Sequence, residues 1–251
     1  MFSYYQNLGF NNPYYFVRDG KFNIQTHFKD SLAQFGTDRK IDPISVVELL
    51  NKNFSFGDRT VIENISKTPW LAKPNEELNE WEFAPNPIHG KGKEDPKIIA
   101  ENFFDLICRE IEGYLVGKHT VGVLLSGGMD SRMVAGALDF LIKTKRIDVK
   151  VTALTWGNTN TRDVIYAERI AKRLGWEWKH FLVTGKDLLN NIRETGIHGC
   201  EYSPIHLHAI PQIRDTTQLE VVLAGSYGDS IGRAEYGLSL IHISEPTRPR
   251  L

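Results

Sequence analysis

Cysteine is nearly absent: among 251 residues only Cys108 and Cys200 carry a thiol. Two are too few for a disulfide framework or a four-thiolate zinc site, and such usage fits a reducing compartment. Long apolar runs are missing as well, and nothing approaches the roughly 20 residues that cross a bilayer. The stretch Met1–Phe10 has no basic segment followed by an apolar one, so a cytoplasmic location and no membrane partner are expected. An excess of either charge is also lacking. Thirty basic residues face thirty-one acidic ones, a formal charge of -1, which leaves no general positive field to collect nucleic acid. A small-molecule substrate is the first expectation. What is present, 41% hydrophobic and 24% charged residues, is the make-up of a folded protein, and the length suits one large domain or two modest ones.

The chain alternates between weak and strong patterns. Up to residue 85 it is rich in Asn, Pro and aromatics. Tyr14–Val17 and Phe22–Ile24 flank Asp19-Gly20, a pair that favours a tight hairpin. Asp42-Pro43 reads as the N-cap and first residue of a short helix with Val46, Val47, Leu49 and Leu50 as its apolar stripe. Pro69 to Pro87 shows little periodicity and reads as a linker or wrapping segment. Asp95-Pro96 opens a second helix, with Ile99, Phe103, Leu106, Ile107, Ile111 and Tyr114 along one face.

Val121–Leu125 is a short continuous apolar run, suited to a strand covered on both faces. A helix beginning near Met133 follows, then a strand at Val149–Thr155, a helix from Val164 to Leu174 closed by Gly175, and a strand at Trp178–Val183. A short helix at Asp187–Thr195 and a strand at Leu219–Ala224 complete the series. This alternation predicts an α/β fold: an open parallel sheet with right-handed crossovers and helices on both faces, preceded by a small mixed N-terminal region.

Between the strand ending at Leu125 and the next helix stands Ser126-Gly127-Gly128-Met129-Asp130-Ser131. Adjacent glycines let backbone N–H groups approach an anion, the helix N-terminus adds donors and a favourable dipole, and two hydroxyls add more. No Gly-Lys-Ser/Thr ends the segment and no Gly-x-Gly-x-x-Gly occurs, which disfavours both a Walker loop and a dinucleotide site. Asp130 beside a phosphate demands an intervening hard cation, and magnesium is the natural one.

The hexapeptide resembles the Ser-Gly-Gly-x-Asp-Ser loop of the N-type ATP pyrophosphatases, which implies cleavage of ATP between its α and β phosphates. Members that thiolate tRNA or form deazaguanine carry paired cysteines; Cys108 and Cys200 form no pair. A second segment, Leu223 to Arg233, resembles the Ser-Gly-Glu-Gly-x-Asp-Glu loop of the asparagine synthetase family. On that resemblance Asp130 and Asp229 hold magnesium, while Ser126, Gly127, Gly128 and Ser131 hold pyrophosphate. Leu124 and Trp156 offer strand-end backbone to adenine, and Gly225 touches the nucleotide. Ser226 stands where the family carries a glutamate base and is the candidate catalytic residue, with Tyr227 beside it.

The resemblance covers Asp95 to Gly237, and Asp42 to Trp81 loosely. It implies residues 1–90 as a partial glutamine-amidotransferase-like region with a linker, and 91–237 as an incomplete synthetase domain. Met1 is followed by Phe2 rather than a cysteine nucleophile, so either the front of that domain is lost or ammonia or another amine is the nitrogen donor. From Leu238 the chain reads Leu-Ser-Leu-Ile-His-Ile-Ser-Glu-Pro-Thr-Arg, resembling a translated sequencing adapter, and 238–251 is expected to be artefact.

His198, Cys200, His206 and His208 lie close in sequence but at no common zinc spacing, and a loop of solvated or hydrogen-bonded histidines is preferred. Arg132 suits a substrate carboxylate or a solvated helix surface equally. The expected function is therefore ATP-dependent amide formation on a small carboxylate, with ATP and magnesium. The alternative is a non-catalytic nucleotide-binding or scaffolding relative. The acid, the nitrogen donor and the oligomeric state stay open.

Overall fold

A computed structural model describes residues 13–75, 77–85, 94–200 and 203–225. Two compact units are present, Met1–Gly92 with Thr184–Pro211, and Lys93–Val183 with Gln212–Leu251.

The first unit opens with a hairpin of β1 (Tyr14–Arg18) and β2 (Lys21–Gln25) in register Arg18↔Lys21. Its two turn residues, Asp19 and Gly20, sit at φ 51° and 69°, the paired left-handed geometry that Asp-Gly tolerates best. Helix α1 (Phe28–Phe35) follows. Tyr14, Phe16, Phe28 and Ile65 form a small buried core, with Tyr14 and Phe16 meeting Phe28 and Phe35 edge to face at 5.3 Å. Helix α2 (Pro43–Lys52) is capped as expected, Asp42 accepting from the amides of Ile44 and Ser45. Its expected apolar stripe is corrected: Val47 and Leu50 are exposed and Ser45 is the buried residue. A two-residue strand, β3 (Ser66–Lys67), pairs with β1.

The presumed linker is corrected too. Ala72–Asn75 (β4) and Glu80–Phe83 (β5) pair antiparallel around a turn in which Asn75 Oδ1 accepts from Glu77 and Leu78 amides. Pro74 is tolerated in β4 because a two-stranded sheet consists of edges alone.

In the second unit, α3 (Pro96–Leu115) begins at the Asp95 cap. Its buried face is Cys108, Ile111 and Leu115 with Phe104 and Ile107 packed alongside. The predicted stripe was therefore rotated: Ile99, Phe103, Leu106 and Tyr114 lie exposed, because the packed row follows the i, i+3, i+4 positions counted from Phe104.

Strand β6 (Thr120–Leu124) leads to α4 (Met129–Lys143), β7 (Lys150–Trp156), α5 (Arg162–Leu174) and β8 (Glu177–Phe181). Helices α6 (Gly185–Ile197), which lies in the first unit together with its capping Thr184–Asp187 box, and α7 (Ile210–Thr216) precede β9 (Val221–Ala224). The sheet is wholly parallel in the order β8-β7-β6-β9. Val151 to Thr155 of β7 are all buried, so both faces of the central strands are covered, as their apolar run predicts. Leu138 and Leu141 of α4 are fully buried in the same core; truncating one to Ala typically costs ~2–5 kcal/mol. The fold is the anticipated parallel α/β sheet with mixed strands before it.

Candidate functional site

The strand order changes direction at β6: β7 and β8 lie to one side and β9 to the other. Crevices that bind ligands in open parallel sheets form at such a point, outside the carboxyl ends of the strands. A cavity of about 340 Å³ lies there. Leu124, Thr155 and Trp156 contribute from the ends of β6 and β7, and Ala224 and Gly225 from β9. The glycine loop and the first turn of α4 supply Ser126, Gly128, Asp130 and Ser131.

Helix α4 starts earlier than its apolar pattern suggests, at Met129, so Asp130 and Ser131 already belong to its first turn. No side chain caps this helix at Gly128. The loop is held by its own serines. Gly128 N–H donates to Ser126 Oγ at 3.1 Å, and Ser126 N–H donates to Ser131 Oγ at 3.1 Å. The two hydroxyl oxygens stand 3.0 Å apart. Ser131 is buried and within 3.2 Å of the carbonyls of Ser126 and Gly128, which makes it the staple that closes the turn. Amides satisfied by hydroxyls can be given up to a stronger, charged acceptor at small cost.

Both loop-side glycines are set by close approach. A Cβ at Gly225 would stand 2.6 Å from the carbonyl carbon of Asp130 and 2.7 Å from Ser131 N, so the end of β9 presses backbone to backbone on α4. A Cβ at Gly127 would meet Asp163 Oδ1 at 3.0 Å and Tyr166 Cβ at 3.3 Å. The first turn of α5 thus packs against the loop.

Asp163 is a lining residue that the sequence reading passed over, although an acidic residue in the first turn after the second strand was a usable signal. Arg132 folds back, Nε donating to Gly128 O at 3.2 Å. Leu124, Ser126, Gly128, Asp130, Ser131, Trp156 and Gly225 share the cavity, and Gly127 backs it against α5. Ser226, Tyr227, Asp229 and residues 238–251 lie outside the described residues.

Elsewhere, Asn191 Nδ2 donates to the carbonyls of Pro204 and His208 and pins the turn that carries the histidines. Burial, and then the neighbouring His206, holds the His208 pKa below its ordinary value; burial pushes the Cys200 thiol up. Among the described residues no group of three His, Cys, Asp or Glu side chains is arranged to hold a metal ion. No helix there is long and apolar enough to cross a membrane.

The fold and crevice define an open parallel α/β protein with a ligand-sized cavity at its strand-order switch point. Residues 105–232 match the asparagine synthase family model, and the chain belongs to that family, whose members are ATP-using amide-forming ligases. A curated relative, the glutamine-hydrolysing asparagine synthetase of Gallus gallus, is 26% identical over 100 residues. The match takes in 40% of this chain and only 18% of that protein's length. Among solved structures, an NH3-dependent NAD synthetase from Campylobacter jejuni in complex with nitrate is similar at 23% identity and a TM-score of 0.30, over 38% of this chain and 40% of that one.

Proposed function

We propose that the chain carries the ATP pyrophosphatase half of an asparagine-synthetase-like ligase. The observation that carries this reading is the cavity at the β6–β9 crevice, floored by a glycine loop and an uncapped helix N-terminus. Ser126, Gly127, Gly128 and Ser131 hold the outer phosphates of ATP. An incoming phosphate oxygen takes the place of Ser126 Oγ on Gly128 N–H, so binding substitutes one acceptor for another and needs little reorganisation. Adenine lies against the strand-end backbone at Leu124 and Trp156, and Gly225 offers a backbone contact to the nucleotide.

A carboxylate oxygen of the acid substrate attacks the α phosphorus. The bond from that phosphorus to the bridging oxygen breaks, pyrophosphate leaves, and an acyl adenylate results. Ammonia or another amine then attacks the acyl carbon, and AMP departs with the electron pair while the nitrogen sheds a proton. By its place in the sequence motif, Ser226 would take that proton. The sequence on which Ser226 and Asp229 rest lies outside the described structure.

Two carboxylates, Asp130 and Asp163, face the cavity. A carboxylate roughly 5 Å from a phosphate oxygen costs about 3 kcal/mol at an effective dielectric near 20, so the anion needs a cation to enter. The donors are all hard oxygens, which fits magnesium. Asp130, with Asp229, would hold it, and the ion would offset charge developing on the leaving pyrophosphate. The test is isotope exchange between ATP and pyrophosphate in the presence of candidate carboxylates. Asp130→Asn should lower exchange at least about a hundredfold with an unchanged melting temperature. Full exchange in that variant overturns the metal role. Nucleotide binding without any carboxylate-dependent pyrophosphate release favours instead a binding or scaffolding protein that has lost amination.

A further inference from the structure

The geometry points to Thr155 as a positioning residue for the phosphate loop, supported from β8 by Trp178. Thr155 lines the cavity yet is only 2% exposed. Its Oγ1 donates to the carbonyl of Leu125 at 2.9 Å, and Trp178 Nε1 donates to the same oxygen at 3.2 Å. The direction of this chain is fixed. An indole N–H can only donate, so Thr155 must accept there, and its single hydroxyl proton is left for Leu125.

Leu125 is the last residue before the loop. Ladder pairing between β6 and β7 ends at Leu124↔Leu154, and the Leu125 amide makes one further bond, to Leu154 O at 2.8 Å. The Leu125 carbonyl is held by the Thr155 hydroxyl in place of a backbone donor. Both polar groups of Leu125 are therefore anchored on β7, which sets the direction in which the chain leaves the sheet and where the amides of Ser126 and Gly128 point.

The support is itself braced. The Trp178 ring stacks on His180 with centroids 5.7 Å apart and planes 9° off parallel. His180 Nε2 donates to Gly157 O at 2.8 Å, and Gly157 N–H returns to Phe181 O at 3.1 Å. The C-terminal edge of β6, β7 and β8 is thus laced by side chains where the ladder gives out. A hydroxyl serving only to satisfy a buried position would leave the loop indifferent to its loss; a positioning hydroxyl would not.

The test compares Thr155→Val, which keeps the shape and removes the hydroxyl, with Thr155→Ser, which keeps the hydroxyl. Amide hydrogen exchange at Ser126 and Gly128, read by NMR on the whole 251-residue chain, is expected to speed up about tenfold in Thr155→Val. Thr155→Ser should stay within about twofold of the parent, and Trp178→Phe should move the loop in the same direction by a smaller factor. Calorimetry with magnesium and ATP should show about tenfold weaker binding for Thr155→Val and near-parental binding for Thr155→Ser.

Parental loop exchange in Thr155→Val overturns the proposal, whatever the stability change. If that variant fails to fold, parental exchange in Trp178→Phe overturns it instead. The binding measurement rests on the functional reading above; a parent chain that takes up no ATP defeats that reading, while the exchange measurement still decides the role of Thr155.

Discussion

The two ends of the parallel sheet treat free backbone amides in opposite ways. At the N-terminal edge, the amides of His119 and Thr120 donate to one carboxylate, Glu220 Oε2, at 2.7 and 2.9 Å. At the C-terminal edge, the amides of Ser126 and Gly128 donate to serine hydroxyls at 3.1 Å. A charged acceptor on two amides is a strong, closed arrangement, whereas a neutral hydroxyl on each is weaker and exchangeable. The sheet is thus tied by a charged acceptor at one end and held by exchangeable neutral ones at the other, where the proposed phosphate site lies. This is the asymmetry that open parallel sheets use, with stability at one edge and the ligand crevice at the other.

The sharpest way to break the open end is Gly225→Ala. The added carbon would lie 2.6–2.7 Å from main-chain atoms of Asp130 and Ser131, and backbone on both sides cannot swing away as a side chain can. Overpacking of this kind typically costs ~1–3 kcal/mol. It would also push the first turn of α4 off the crevice. Nucleotide binding by calorimetry should fall at least about a hundredfold, with a lower melting temperature; unchanged binding would show that β9 does not fix the loop.

Gly127→Ala is milder. Its Cβ would meet the Asp163 carboxylate at 3.0 Å and Tyr166 at 3.3 Å, and Asp163 is an exposed side chain that can turn aside. About tenfold weaker ATP binding is expected with little loss of stability, since a local shift of the loop costs of order 1 kcal/mol. Pairing it with Asp163→Ala should recover part of the loss, because the truncation removes the obstructing oxygen; no recovery would place the strain elsewhere.

Much of this open end was legible in the residues. Ser126–Ser131 could be read because strand, glycine pair and helix follow one another in sequence, and each part has a local physical cause. Gly225 was found through motif similarity, but its packing reason was not: a backbone approach from β9 to α4 joins positions far apart in the chain, which local patterns do not encode. Asp163 carried a local signal, an acidic residue in the first turn after β7, but its proximity to Gly127 arises only when α5 docks. The rotated face of α3 and the exposed Val47 and Leu50 of α2 show the complementary failure. A helix with apolar residues on more than one side does not announce which side is packed, and tertiary contact decides. The hairpin β4–β5 was hidden by Pro74 and by strands too short for a period to appear.

The closed end is sharpened by pH, and the effect there is the smallest of these. The two backbone amides, His119 first and then Thr120, hold the Glu220 carboxyl below its ordinary value, with the positive charge of Lys118 adding to the pull. A carboxyl with a folded pKa below its unfolded one binds fewer protons in the folded state than in the unfolded state. Its stabilisation is present above the ordinary carboxylate range and is lost as pH falls through the depressed folded value. Glu220→Gln keeps an acceptor oxygen but has no charge to lose. Denaturant melts should therefore show the parent ahead of the variant at pH 7, with the gap closing as the pH drops below the ordinary carboxylate range. A gap that stays constant with pH would mean that shape and not charge ties this edge. In that case the contrast between the two ends would rest on the C-terminal amides alone.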